Sequence, residues 1–83
     1  MKKYLVHYNR VESLFQQPKV KQQEMIRLQD LMHEKVLLRS FISKDHKDMW
    51  LYFHVDDKFT LMEILKTLPS CSQLQPEVSE LEE

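Results

Sequence analysis

The chain has 83 residues, 12 of them Lys or Arg and 13 Asp or Glu, for a net charge of −1 and a pI near 6.4. That length holds one domain over residues 1–83, because a second would leave too little apolar surface for two cores, and the near-neutral charge removes the long-range field that gathers nucleic acid or anionic lipid. With no glycine and a single cysteine, the chain lacks the parts for a Walker loop, a dinucleotide fingerprint, a nucleophile elbow, an internal disulfide or a zinc-type cysteine pair.

In chain order, "KKYLVHYN" alternates Tyr4, Val6 and Tyr8 against Leu5, His7 and Asn9, with the β-branched and aromatic content of a strand. Arg10 to Gln17 reads as a connection. Pro18 suits the first turn of a helix, where its fixed φ fits and its missing N–H is no loss. That helix runs to about Glu34, with Met25, Leu28, Leu31 and Met32 at helical spacing as its apolar stripe. "VLLRSFIS" is a second strand and "MWLYFHV" a third, joined as a hairpin through the polar turn "KDHKD". There Asp45, His46 and Asp48 substitute for the absent glycine. Asp57 is the expected N-cap of a second helix, with Thr60 and Glu63 offering an alternative capping box a turn later. Leu61, Ile64, Leu65 and Leu68 form its buried stripe, and Pro69 ends it. After a short loop, "LQPEVSEL" reads as a last strand, placed at a sheet edge by Pro76, and "EVSELEE" closes in an acidic cluster.

Strand, helix, strand, strand, helix, strand is the order of an α+β, ferredoxin-like βαββαβ subunit: a four-stranded antiparallel sheet with two helices on one face. The first and third strands are central in that plan. Leu51, Phe53 and Val55 suit the helix side, which sends Trp50, Tyr52 and His54 to the bare side together with Leu5, His7 and Asn9. An open face carrying a tryptophan and a tyrosine marks an interface or a ligand site.

From "FHVDDKFTLMEILKTLPSCSQLQPEVSEL" onward the chain resembles the muconolactone delta-isomerase family. The resemblance is carried by Phe53 and Val55 at a strand end, Leu61, Leu65 and Leu68 in register on a short helix, the Leu68–Pro69 pair, and Glu77, Val78 and Leu81 in the last strand. It extends more loosely through Glu24 and "LMHEK", and covers about three quarters of the chain. In the family a glycine stands where this chain has Lys35. The resemblance implies a subunit that pairs sheet to sheet into a dimeric α+β barrel, with dimers able to build larger rings. It also implies cofactor-free movement of a proton along a small unsaturated lactone or organic acid.

Such a proton shift needs a group that removes and returns the proton, and a donor that steadies the enolate. Histidine suits the first role, with an ordinary pKa of roughly 6.5. His7 and His54 are the candidates, since strand parity directs both to the open face. Tyr52 or Arg39 could donate to an enolate oxygen or, for Arg39, pair with a substrate carboxylate. Each has a plain structural alternative: His54 as a rim residue, His7 as a hydrogen-bonded strand residue, Arg39 as an ion-pair or interface residue. Trp50, Tyr52 and Leu5 read as the core of a homodimer interface. Glu24 belongs to a helix facing away from any pocket, and nothing near Cys71 in the sequence would activate it.

The expected partners are a second copy of the chain and a small organic acid or lactone, with no cofactor, metal, nucleic acid or membrane. One cysteine, no signal peptide and no apolar run near the roughly 18 residues that span a bilayer point to the cytoplasm. Two other readings compete. One is a non-catalytic homo-oligomeric ligand-binding or assembly protein of the same barrel class, which includes cofactor-free monooxygenases and YCII-like proteins. The other, an RNA-recognition domain, needs glycines and a basic surface that this chain lacks.

Overall fold

In the computed structural model, which describes residues 1–82, eight elements follow one another: β1 (Lys2–Asn9), α1 (Val11–Phe15), α2 (Pro18–His33), β2 (Leu37–Ile42), β3 (Asp48–Val55), α3 (Lys58–Leu65), α4 (Pro69–Gln73) and β4 (Glu77–Leu81). Glu83, the last residue of the acidic cluster, lies outside the described residues. The four strands form one sheet in the order β2-β3-β1-β4, and every neighbouring pair is antiparallel. β1 and β2 are thus parallel to each other with β3 inserted between them, the split βαβ arrangement of a ferredoxin-like α+β fold.

Alternation in the two central strands sets which face is covered. Tyr4, Val6 and Tyr8 of β1 and Met49, Leu51, Phe53 and Val55 of β3 are buried, and the residues between them are not. Leu28 and Leu31 of α2 and Leu61 and Leu65 of α3 close over that face, joined by Leu37 and Leu68. Each such side chain contributes about 1.5–3 kcal/mol by leaving water. Asp57 caps α3 as expected, its Oδ1 accepting from the Thr60 N–H at 2.8 Å; the Thr60–Glu63 alternative is not used.

Four local expectations change. The connection after β1 contains the helix α1, whose Val11 and Leu14 are fully buried and whose Val11 N–H donates to the Lys47 carbonyl at 3.0 Å. One helical turn carries too little periodicity to be read from sequence, yet two apolar residues three apart are enough to plug the end of the core. The buried face of α2 is Glu24, Leu28 and Leu31, with Met25 at its margin and Met32 39 % exposed. Pro69 does more than stop α3, which ends at Leu65: it occupies the first turn of α4, where a short loop was expected. Asp48 belongs to β3 and not to the turn, which is built from Ser43 to Lys47 around a left-handed His46 (φ 60°).

Lys35 is left-handed as well, with φ 62°. It sits just past α2, where the Val36 N–H donates to the Leu31 carbonyl at 3.0 Å and the Lys35 N–H to the Met32 carbonyl at 3.0 Å. This is a Schellman ending, which ordinarily uses glycine because a Cβ is strained in that conformation.

Candidate functional site

Strand register lays the bare face of the sheet out in rows. Phe41, Trp50, His7 and Glu77 stand side by side across β2, β3, β1 and β4; the next row is Arg39, Tyr52, Leu5 and Ser79; beyond it His54, Lys3 and Leu81 are aligned. Asp48 and Asn9 face each other on the opposite side of the Trp50–His7 pair. Trp50, Tyr52, His54, Leu5 and His7 are half-buried on this surface, while Phe41 is 49 % exposed. The helices lie on the other side, so the exposed aromatic and apolar area here is a property of the subunit fold.

His7 is the residue most tightly held. Its Nε2 lies 2.8 Å from Asp48 Oδ1, its Nδ1 lies 3.6 Å from Glu77 Oε2, and its ring stacks on the Trp50 indole at 5.1 Å between centroids and 14° between planes. A carboxylate can only accept, so the hydrogen bond to Asp48 puts a proton on Nε2. In the neutral ring the Nδ1 lone pair is then the free basic site. Asp48 therefore sets the tautomer and Trp50 fixes the ring plane. The His7 and Asp48 side chains are 25 % and 33 % exposed, against 76 % for Glu77. Asp48 is the firm partner and Glu77 the loose one.

The four candidate residues are thus on one face, with Arg39 and Tyr52 paired in the row next to His7 and only His54 set apart. His54 stands opposite Lys3, two rows from His7, and Tyr52 opposite Leu5 and Arg39. Of the ion-pair and interface roles expected of Arg39, the first is not formed among the described residues. Trp50, Tyr52 and Leu5, expected at an interface, occupy the middle of the open face. Sequence reasoning missed Asp48 and Glu77. Strand parity could have found Asp48, which shares the face of Trp50 in "DMWLYFHV"; Glu77 depends on the pairing of β4 with β1, for which no local signal exists.

A second polar group lies behind the sheet. Glu24 is fully buried, with Oε1 accepting from the Ser70 N–H at 3.0 Å and Oε2 from the Ser70 hydroxyl at 2.9 Å. Burial pushes its carboxyl above the usual range, and the two bonds from Ser70 offset part of that push. Tyr8, also fully buried, ends beside the same serine with its hydroxyl unpartnered, and burial raises the phenol well above its ordinary value. Cys71 follows in α4, partly buried. This cluster joins α2, α4 and β1 and has no opening to solvent at Glu24, Ser70 or Tyr8. It is a structural clamp.

Two surface hollows are found among the described residues, one lined by Gln29, Met32 and His33 on α2 and one by Met1, Lys2, Glu80, Leu81 and Glu82. Among the described residues no three His, Cys, Asp or Glu side chains are grouped to hold a metal ion, and no helix is long and apolar enough to cross a membrane. Comparison with protein-family models finds no family that matches the chain, and comparison with curated proteins finds no match either.

Proposed function

We propose that two copies close their open sheet faces over each other, and that the His7–Asp48 pair transfers a proton on a small unsaturated lactone or organic acid held between them. The 2.8 Å bond from His7 Nε2 to Asp48, on a surface otherwise dressed in Trp50, Tyr52, Phe41 and Leu5, is the observation that carries this reading. A carboxylate that holds an imidazole in one tautomer leaves the other nitrogen as a directed base. In the proposed reaction Nδ1 takes a proton from a carbon beside the carbonyl, and the C–H electron pair moves into the enolate. The same nitrogen then returns the proton to a carbon further along the conjugated system. No oxidant, reductant or cofactor enters the balance. Arg39, exposed and without an ion pair among the described residues, supplies the cation for the carboxylate, and Tyr52 a hydroxyl for the enolate oxygen. The lone Cys71 fits a reducing, cytoplasmic setting.

The test is proton exchange and isomerisation of unsaturated lactones in deuterated water, followed by NMR. The natural chain exchanges the proton beside the carbonyl, and His7→Gln abolishes exchange. Asp48→Asn lowers it by roughly a hundredfold or more, in line with the usual contribution of a positioned acid–base group. A panel of such lactones showing no exchange above the buffer rate would overturn the catalytic reading.

One observation favours a second, non-catalytic reading as an assembly or ligand-binding protein. Both nitrogens of His7 already face carboxylates, at 2.8 Å and 3.6 Å, an arrangement that also serves a static interface. Under that reading Trp50→Ala separates the copies, whereas His7→Gln changes neither assembly nor ligand affinity.

A further inference from the structure

We propose that the open face binds a small dicarboxylic acid, with Arg39 holding one carboxylate and Lys3, beside His54, holding the other. This rests on the reading of the open face as a substrate chamber, and adds Lys3 to the residues that select the substrate. Charge on this face is sorted along the strands. Its acids, Asp48 and Glu77, are at one end, and both lie against His7, at 2.8 Å and 3.6 Å. Its fixed cations, Arg39 and Lys3, are in the next two rows, and no acid is paired into either row. Neither cation has an ion pair among the described residues, whereas the adjacent Lys2, on the other side of β1, has Glu80 at 3.8 Å. Lys3 is already half-buried, as are Tyr52 and His54. Closing a second surface over this face takes both cations further from water, which is costly for a charge without a counterion. Two unpaired cations call for two negative charges.

Geometry favours one molecule that carries both. Arg39 on β2 and Lys3 on β1 are separated by β3 and by one row, which puts their Cα atoms roughly 12 Å apart. Tyr52 and His54 of β3 stand between them, so a single carboxylate does not bridge the two cations. A guanidinium fork takes a carboxylate through two parallel hydrogen bonds, and an ammonium takes one as a point charge. The carbon chain joining the two carboxylates has Tyr52 and Leu5 as apolar contacts. Asp48 and Glu77 repel an anion at the His7 end. The acid therefore lies one way round, with its carboxylates at the cations and its uncharged part toward His7.

The experiment is calorimetric titration of the full chain at low salt and neutral pH, with glutarate and adipate as diacid probes and butyrate as the single-carboxylate probe. The diacids bind roughly tenfold more tightly than butyrate, the effect of one added charge-assisted bond. Lys3→Met removes that preference and Lys3→Arg keeps it. Lys2→Met deletes the same charge one residue away and leaves the preference in place, which separates a site from an effect of net charge. The proposal is overturned if the diacids bind no more tightly than butyrate, the result expected if acids of a second copy already neutralise Lys3 and Arg39. It is overturned equally if Lys2→Met and Lys3→Met have the same effect. Binding requires no turnover, so an absence of proton exchange sinks the catalytic reading and not this one. Exchange on lactones with a single carboxylate, together with no preference for diacids, sinks this one alone.

Discussion

The sheet carries a polar cluster on each side, and the two are built on opposite terms. Behind it, Glu24, Ser70 and Tyr8 are sealed from water, and the carboxylate is held by two donors of one serine. On the open face, His7, Asp48 and Glu77 remain in contact with solvent. Desolvation makes the first arrangement expensive to disturb, because any group left without its partner has no water to replace it. The second can lose a partner and regain it from solvent. The difference teaches which polar residues serve folding and which are free to serve chemistry.

Removing each cluster's centre is the sharpest way to break this contrast. Glu24→Ala strands the Ser70 N–H and hydroxyl and opens a hole, destabilising by about 3 kcal/mol, which lowers the melting temperature by roughly 15 °C in a domain of this size. His7→Ala removes a partly exposed ring and costs less than about 1 kcal/mol. Equal losses in thermal melts would erase the distinction.

The next effect in size depends on pH. The folded-state pKa of Glu24 is raised, so its contribution favours the native state below the ordinary glutamate range and is lost as pH rises through the elevated value. Glu24→Gln keeps an acceptor for the Ser70 N–H and removes the charge. Its stability relative to the natural chain should therefore improve steadily with rising pH and then level off. The groups facing Glu24 are Ser70 and Tyr8, and a flat difference from acid to neutral pH would show that the carboxylate is not desolvated as described.

Two smaller changes refine the picture. Tyr8→Phe deletes a buried hydroxyl without a partner, so it should be neutral or stabilising by up to about 1 kcal/mol; a clear loss in denaturant melts would reveal a hydrogen bond to Ser70. Lys35→Gly relieves the left-handed Cβ at the end of α2, and the larger chain entropy of glycine offsets part of the gain. A net increase in stability of about 0.5 kcal/mol is expected, measured by the same melts.

The sheet and its two main helices were legible because they rest on local periodicity. Alternation in "KKYLVHYN" and "MWLYFHV" separates Tyr4, Val6 and Phe53 from His7, Trp50 and Tyr52, and the structure buries the first set only. Pro18 and Asp57 marked helix starts for reasons of one residue's geometry. By contrast α1 and α4 are five residues each, too short for any period to emerge. Glu24 broke the expected stripe of α2 because its partner, Ser70, is 46 positions away.

By itself, then, the sequence determined the order of the four strands and the two main helices, the face each central strand turns to the helices, and the aromatic character of the other face, all of them consequences of spacing within a few residues. Only the tertiary structure decided that His7 has Asp48 and Glu77 as neighbours and Trp50 as its stacking partner, and that Glu24 is a clamp. Those facts depend on register between strands distant in the chain, and hydrophobic pattern constrains which face a residue takes far more strongly than which residue it meets there.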